Sequence, residues 1–112
     1  MIPSNKERQY TKIIDKDGIK VYKNDTNLYF FKIYADGINE TIPNLGTYTI
    51  GTISELVFPE NYTIPVVIIK EGGTQIHGYL FINKNTGEFS ISNRSGASIN
   101  LYTINTSFCV ML

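Results

Sequence analysis

The sequence predicts a small all-β domain, an antiparallel sandwich or barrel, and three observations lead there. Apolar and polar residues alternate with period two in run after run. Clusters of Asn, Asp and Gly break these runs at spacings of roughly 8–12 residues, as in sandwiches and barrels. The composition leans to β-formers, with 8 Tyr and 6 Phe among 112 residues. That length is one domain's worth of chain.

Residues 1–14 are read as a linker or the end of a stalk, and residues 15–112 as the β domain. Within the first segment, Ser4 and Glu7 have the spacing of a capping box, so a helical turn is expected over Ser4–Gln9. Ile19 and Val21 alternate with Lys20 and Tyr22, and Asn24–Asn27 supplies turn residues. The run Leu28–Ala35 then completes a hairpin, with Tyr29, Phe31 and Ile33 on one face and Phe30, Lys32 and Tyr34 on the other.

Ile38–Gly46, with Pro43, Asn44 and Gly46, reads as a connecting loop, and Thr47–Ile53 as a strand bulged at Gly51. Leu56–Pro59 should end a strand, because Pro59 has no N–H to give to a ladder. Glu60–Ile64 turns a corner. Val66–Lys70 is apolar on both faces and is expected to be buried on both.

Glu71–Thr74 is a turn, followed by a strand over Gln75–Asn83 in which His77 and Tyr79 oppose Leu80. Asn83–Gly87 reads as a hairpin loop with Gly87 in the left-handed region. Phe89 and Ile91, alternating with Glu88, Ser90 and Ser92, predict a half-exposed strand, and Asn93–Ala97 a polar loop. Two last strands, Ile99–Ile104 and Thr106–Leu112, bring the count to eight or nine.

Charge and composition narrow the function classes. Ten basic and ten acidic residues cancel, and the basic ones are scattered singly, so no nucleic-acid partner is expected. No run of roughly eighteen apolar residues is present, so no membrane span is expected either. The single cysteine, Cys109, lies in an alternating run and is read as a buried, inert thiol.

Candidates for catalysis are thin. His77 is the sole histidine and has no G-x-S-x-G elbow to work with. Asp15-Lys16-Asp17-Gly18 has the start of a calcium loop but no later Glu at the required offset, and reads as a turn. No metal, cofactor or catalytic residue is assigned. What the sequence does offer is Tyr, Asn and other polar residues on strands and turns, a combination that suits sugars: rings stack on aromatic faces, and hydroxyls need oriented donors and acceptors. The saccharide-binding candidates are His77 and Tyr79, on one face of a strand, with Asn93 and Arg94 as hydrogen-bonding partners in the loop after the hairpin.

Two stretches carry a family resemblance: the proline-framed corner Phe58-Pro59-Glu60-Asn61-Tyr62-Thr63-Ile64-Pro65, and the hairpin Leu80-Phe81-Ile82-Asn83-Lys84-Asn85-Thr86-Gly87-Glu88-Phe89-Ser90-Ile91. With the closing run from Ile99 to Phe108, they make the region Gly18–Leu112 resemble the C-terminal head domains of bacteriophage receptor-binding and tail-fibre proteins, from baseplates of phages infecting Gram-positive bacteria. It departs from that pattern by one extra residue between Tyr62 and Pro65 and by having no tryptophan.

The resemblance implies a jelly-roll-like head on a virion tail tip or baseplate, homotrimeric, joined to other tail proteins through an N-terminal stalk. It implies non-catalytic adhesion to host cell-wall polysaccharide or a teichoic-acid-type glycan. Two other readings stand beside it. One is a structural trimerisation module that caps a collagen-like or fibre stalk and binds no sugar. The other is a polysaccharide-cleaving tail enzyme, which would need paired carboxylates in a groove.

Overall fold

The computed structural model describes residues 10–112, and the helical turn expected over Ser4–Gln9 lies outside them. Every regular element among the described residues is a strand: β1 (Thr11–Lys16), β2 (Ile19–Lys23), β3 (Leu28–Ala35), β4 (Glu40–Ile42), β5 (Thr47–Thr52), β6 (Tyr62–Lys70), β7 (Gln75–Ile82), β8 (Glu88–Asn93) and β9 (Ile99–Met111). All pair antiparallel in one sheet of order β1-β2-β3-β9-β6-β7-β8-β5, with β4 added beside β9. The fold is the all-β sandwich or barrel expected from the alternation.

The hairpins form where turn residues permit. Asn24 Oδ1 accepts from the backbone N–H groups of Thr26 (2.9 Å) and Leu28 (3.0 Å) and fixes the β2–β3 turn. Between β1 and β2 the chain reverses at Asp17 (φ 54°) and Gly18 (φ 79°), so the acidic tetrapeptide is a tight turn. The β7–β8 loop ends at Gly87, at φ 76° as expected, and a Cβ there would run into the Ile53 carbonyl.

The sheet rolls until its two edges nearly meet. A Cβ on Gly51 in β5 would lie 2.7 Å from that of Asp17 in the β1–β2 turn, and Lys16 Nζ stands 3.7 Å from Glu55 Oε1. The expected bulge is present: the β5–β8 register shifts between Thr49 and Gly51. On the other side β9 joins the two halves. Ile104–Met111 pair with Leu28–Ala35 of β3, whereas β6 is paired with β9 only at Ile68–Lys70. Beyond Ile104 the two strands part.

Between the halves lies one core. Ile19, Val21, Phe31, Ile33, Ile68, Leu80, Phe89, Ile91, Leu101 and Ile104 are all buried in it. Four phenylalanines from distant segments meet there. Phe31 stacks on Phe108 with ring centres 5.0 Å apart and planes 5° apart, and approaches Phe89 at 5.8 Å and Phe58 at 6.2 Å. Offset and edge contacts at these separations add to the stabilisation from burial.

Several expectations need correction. The sheet takes in β1 from Thr11, within the segment read as linker, because Ile14 is tucked against Val21. The loop Ile38–Gly46 contains β4, which Ile42 anchors by entering the core. Leu56–Pro59 is not a strand end but a loop. Phe58, 4% exposed, plugs the space between the halves without any ladder bonds. Ile99–Ile104 and Thr106–Leu112 are not two strands, since β9 runs unbroken from Ile99 to Met111.

Three burial expectations change too. Val67 is 46% exposed, because nothing among the described residues covers it on the outer face of β6. The strand β8 is buried rather than half exposed, since it runs between β7 and β5 and their side chains shade Ser90 and Ser92. Cys109 is exposed: the face of β9 that enters the core carries Phe108 and Val110, so its neighbour points out.

Candidate functional site

The outer face of β6, β7, β8 and β5 carries three of the candidate residues, His77, Tyr79 and Arg94. Antiparallel pairing sets Tyr79 opposite Pro65 on one side and Ser92 on the other, and sets Thr47 opposite Ser92. Side chains directly opposite each other share a face. Tyr79, Ser92 and Thr47 therefore form a row across three strands, and Phe81 and Ser90 form the next row down.

Arg94 closes the row. Its Cζ lies 5.5 Å from the centre of the Tyr79 ring, a cation–π arrangement. Its Nε donates to Ser92 Oγ at 3.0 Å, which holds the guanidinium plane in place. Together these side chains floor a shallow concavity of about 410 Å³, with Leu45 and Thr63 at its margins. Tyr79 remains 37% exposed there. The surface offers an aromatic face, several hydroxyls and a positively charged planar donor, the groups needed to stack a sugar ring and bind its hydroxyls or an attached anion.

His77 lies one step along β7 from Tyr79 on the same face, opposite Val67. It belongs to a neighbouring groove of about 560 Å³, walled by Pro65 and Val67 of β6 and by Asn105 and Ser107 of β9, where those strands part. The structure thus joins Tyr79 and Arg94 in one site and places His77 beside it.

Asn93 is corrected. It is 0% exposed and faces inward. Its Nδ2 donates toward the carbonyls of Ile42 (3.0 Å), Pro43 (3.2 Å) and Ala97 (2.8 Å). Its Oδ1 accepts from Ser95 N–H (3.0 Å) and Ser95 Oγ–H (2.8 Å). An amide has two donor hydrogens and two acceptor lone pairs, so nothing remains for a ligand. Asn93 is a clamp that fastens the end of β4 to the loop beneath Arg94.

Sequence reasoning missed Ser90, Ser92, Phe81 and Thr47. Alternation along β7 and β8 carries a signal for Phe81 and the two serines, since they share parity with Tyr79 and Arg94. For Thr47 no local signal exists; only the pairing of β5 with β8 brings it there.

Outside this face, one ionisable group among the described residues is shifted. Burial pushes the Tyr62 phenol above its ordinary value, and the nearby Glu60 carboxylate adds to that. Among the described residues no group of three or more His, Cys, Asp and Glu is arranged to hold a metal ion.

Fold and face together define a small antiparallel β domain with an open aromatic and hydroxyl-lined sheet surface. Compared with protein-family models, curated proteins and solved structures, the chain matches none.

Proposed function

We propose that this chain is a non-catalytic, glycan-adhesive domain: the head of a bacteriophage receptor-binding or tail-fibre protein that attaches to host cell-wall polysaccharide or a teichoic-acid-type glycan. The observation that carries the reading is the stack of Arg94 on Tyr79, pinned by Ser92 in a row of hydroxyls. Such a platform binds a sugar by its face and by its substituents at once. Binding rather than turnover is favoured because the concavity is lined by aromatic, aliphatic, hydroxyl and guanidinium groups. Glycoside hydrolysis uses a carboxylate pair.

In this reading the head is a homotrimer on a tail tip or baseplate, joined to other tail proteins through its N-terminal stalk. Three shallow sites acting together offset the weakness of each. The exposed Val67 side chain suits burial between subunits.

A specific observation favours the structural module as a second reading. On the opposite face, Tyr10, Tyr22 and Phe30 cluster with ring centres 6.1–6.5 Å apart beside Lys32. A protein surface could cover that cluster with no sugar involved.

The test is binding to isolated Gram-positive cell walls and to their released polysaccharide. Retained binding that Tyr79→Ala or Arg94→Ala weakens supports adhesion through this face. Binding unaffected by either substitution overturns the site, and no binding to any wall preparation leaves the structural module as the reading.

A further inference from the structure

The outer face of β1, β2, β3 and β9 has a chemistry unlike that of the Tyr79 platform. Register sets Tyr22, Phe30 and Cys109 side by side across β2, β3 and β9, and sets Lys20, Lys32 and Ser107 in the adjoining row. Tyr10 joins them just ahead of β1. Its ring meets Phe30 edge-on with centres 6.5 Å apart, and the Tyr22 ring lies 6.1 Å from Phe30. Tyr10, Tyr22, Phe30, Lys32 and Cys109 line a concavity of about 540 Å³.

Sheet stability alone does not account for this face. Aromatic neighbours across strands are stabilising, but like charges directly opposite each other are not, since their Cβ atoms are only about 5 Å apart. Lys20 and Lys32 are such a pair. The carboxylate opposite Lys20 on its other side is Asp15, and Lys12 Nζ already holds it at 3.1 Å. The other ion pair among the described residues joins Lys16 to Glu55. Two exposed ammonium groups therefore stand at the end of an aromatic pocket with no ion-pair partner among the described residues.

We infer that this pocket is a second binding site, for a small planar ring that carries an anionic group, a phosphate or a carboxylate. The ring lies against Phe30 and its tyrosine neighbours. The anion takes charge-assisted hydrogen bonds from Lys20 and Lys32 and relieves their repulsion. A sugar fits less well. Its hydroxyls need many oriented partners, and besides Lys32 the pocket offers only two phenols and a thiol, whereas the Tyr79 concavity has Thr47, Thr63, Ser90 and Ser92. The volume suits a small molecule, whose pockets span roughly 300–1,000 Å³. This site goes beyond the adhesive reading and does not depend on it.

Cys109, the single thiol of the chain and part of the pocket wall, reports occupancy. Being exposed, it should react readily with N-ethylmaleimide in the free protein. 1-Naphthyl phosphate should slow that reaction. Its half-protecting concentration should lie about tenfold below those of 1-naphthol and inorganic phosphate, each of which lacks one half of the contact. In the Lys20→Gln/Lys32→Gln double variant that concentration should rise about tenfold. Both lysines are exposed, so matching far-UV circular dichroism should show the fold intact. Equal protection by 1-naphthol or by inorganic phosphate would overturn the inference, as would protection that the double substitution leaves unchanged. No protection by 1-naphthyl phosphate would overturn it too, and would leave the aromatic cluster to a protein contact.

Discussion

Arg94 stands over the ring of Tyr79 at 5.5 Å while its Nε is tied to Ser92 at 3.0 Å. The guanidinium is thereby fixed on both its face and its edge before any ligand arrives. Pre-set groups lose little freedom on binding, so they contribute more of their interaction energy. Either Arg94→Ala or Tyr79→Ala should weaken wall-polysaccharide binding about tenfold, the equivalent of about 1.4 kcal/mol. Isothermal titration reads the loss. Both sites are exposed, so the unfolding midpoint should hardly move.

Arg94→Lys sharpens the same point. A lysine retains the charge but has neither the planar stacking surface nor the Nε that bonds Ser92. The variant should bind nearer to the alanine level than to the parent, measured by the same titration. Full rescue would mean that charge alone matters at this position.

For Asn93→Ala a different outcome is expected. The substitution strips partners from the carbonyls of Ile42, Pro43 and Ala97 and from the Ser95 amide, the Ile42 bond being buried and the others partly so. Leaving such groups unpaired should cost about 2–4 kcal/mol. Urea unfolding checks the magnitude. Binding should fall as well, because the loop that carries Arg94 loses its anchor.

Phe58 lies outside every strand yet touches Phe31, Phe89 and Tyr62 at ring distances of 5.9–6.2 Å. Phe58→Ala should therefore cost as much as a strand-core substitution, about 3–5 kcal/mol. Thermal unfolding measures it, with the exposed neighbour Val57→Ala as a control that should barely register.

Gly87 and Gly96 both have positive φ, at 76° and 92°. A Cβ at Gly96 meets open space, whereas one at Gly87 meets the Ile53 carbonyl, and Ile53 N–H also donates to Gly87 O across that junction. Gly96→Ala should cost only the backbone penalty, about 1 kcal/mol. Gly87→Ala should cost clearly more, and the difference between their chemical-unfolding free energies isolates the steric part.

What alternation could and could not reveal follows from where each energy resides. The hairpin of β2 and β3 and the loop at Gly87 were legible because local turn chemistry and a two-residue period determine them. Phe58 was not, since an irregular segment can bury an aromatic ring with no periodic trace. The faces of β6 and β8 were misjudged for a related reason. Val67 looks as apolar as Val66, and Ser92 looks as polar as Arg94. Only the neighbouring strands decide which of each pair meets water. Of the site, Tyr79 and Arg94 could be picked out by residue type, but Asn93, adjacent in sequence, serves the fold instead. A side-chain amide reads the same whether it faces solvent or three carbonyls.

The strand that unites the two halves, β9, also follows β1 to β8 in the chain. The meander β6-β7-β8 can assemble from near neighbours, and so can β1-β2-β3, but neither closes a core alone. The partners of β9 in β3 lie far back in sequence, so its docking must wait for the costliest loop closure in the fold. Folding should accordingly be slow and end with a single cooperative step. A nascent chain that has emerged only as far as Ser98 would hold two half-formed sheets with their apolar faces in water, and would need protection from its neighbours until β9 arrives.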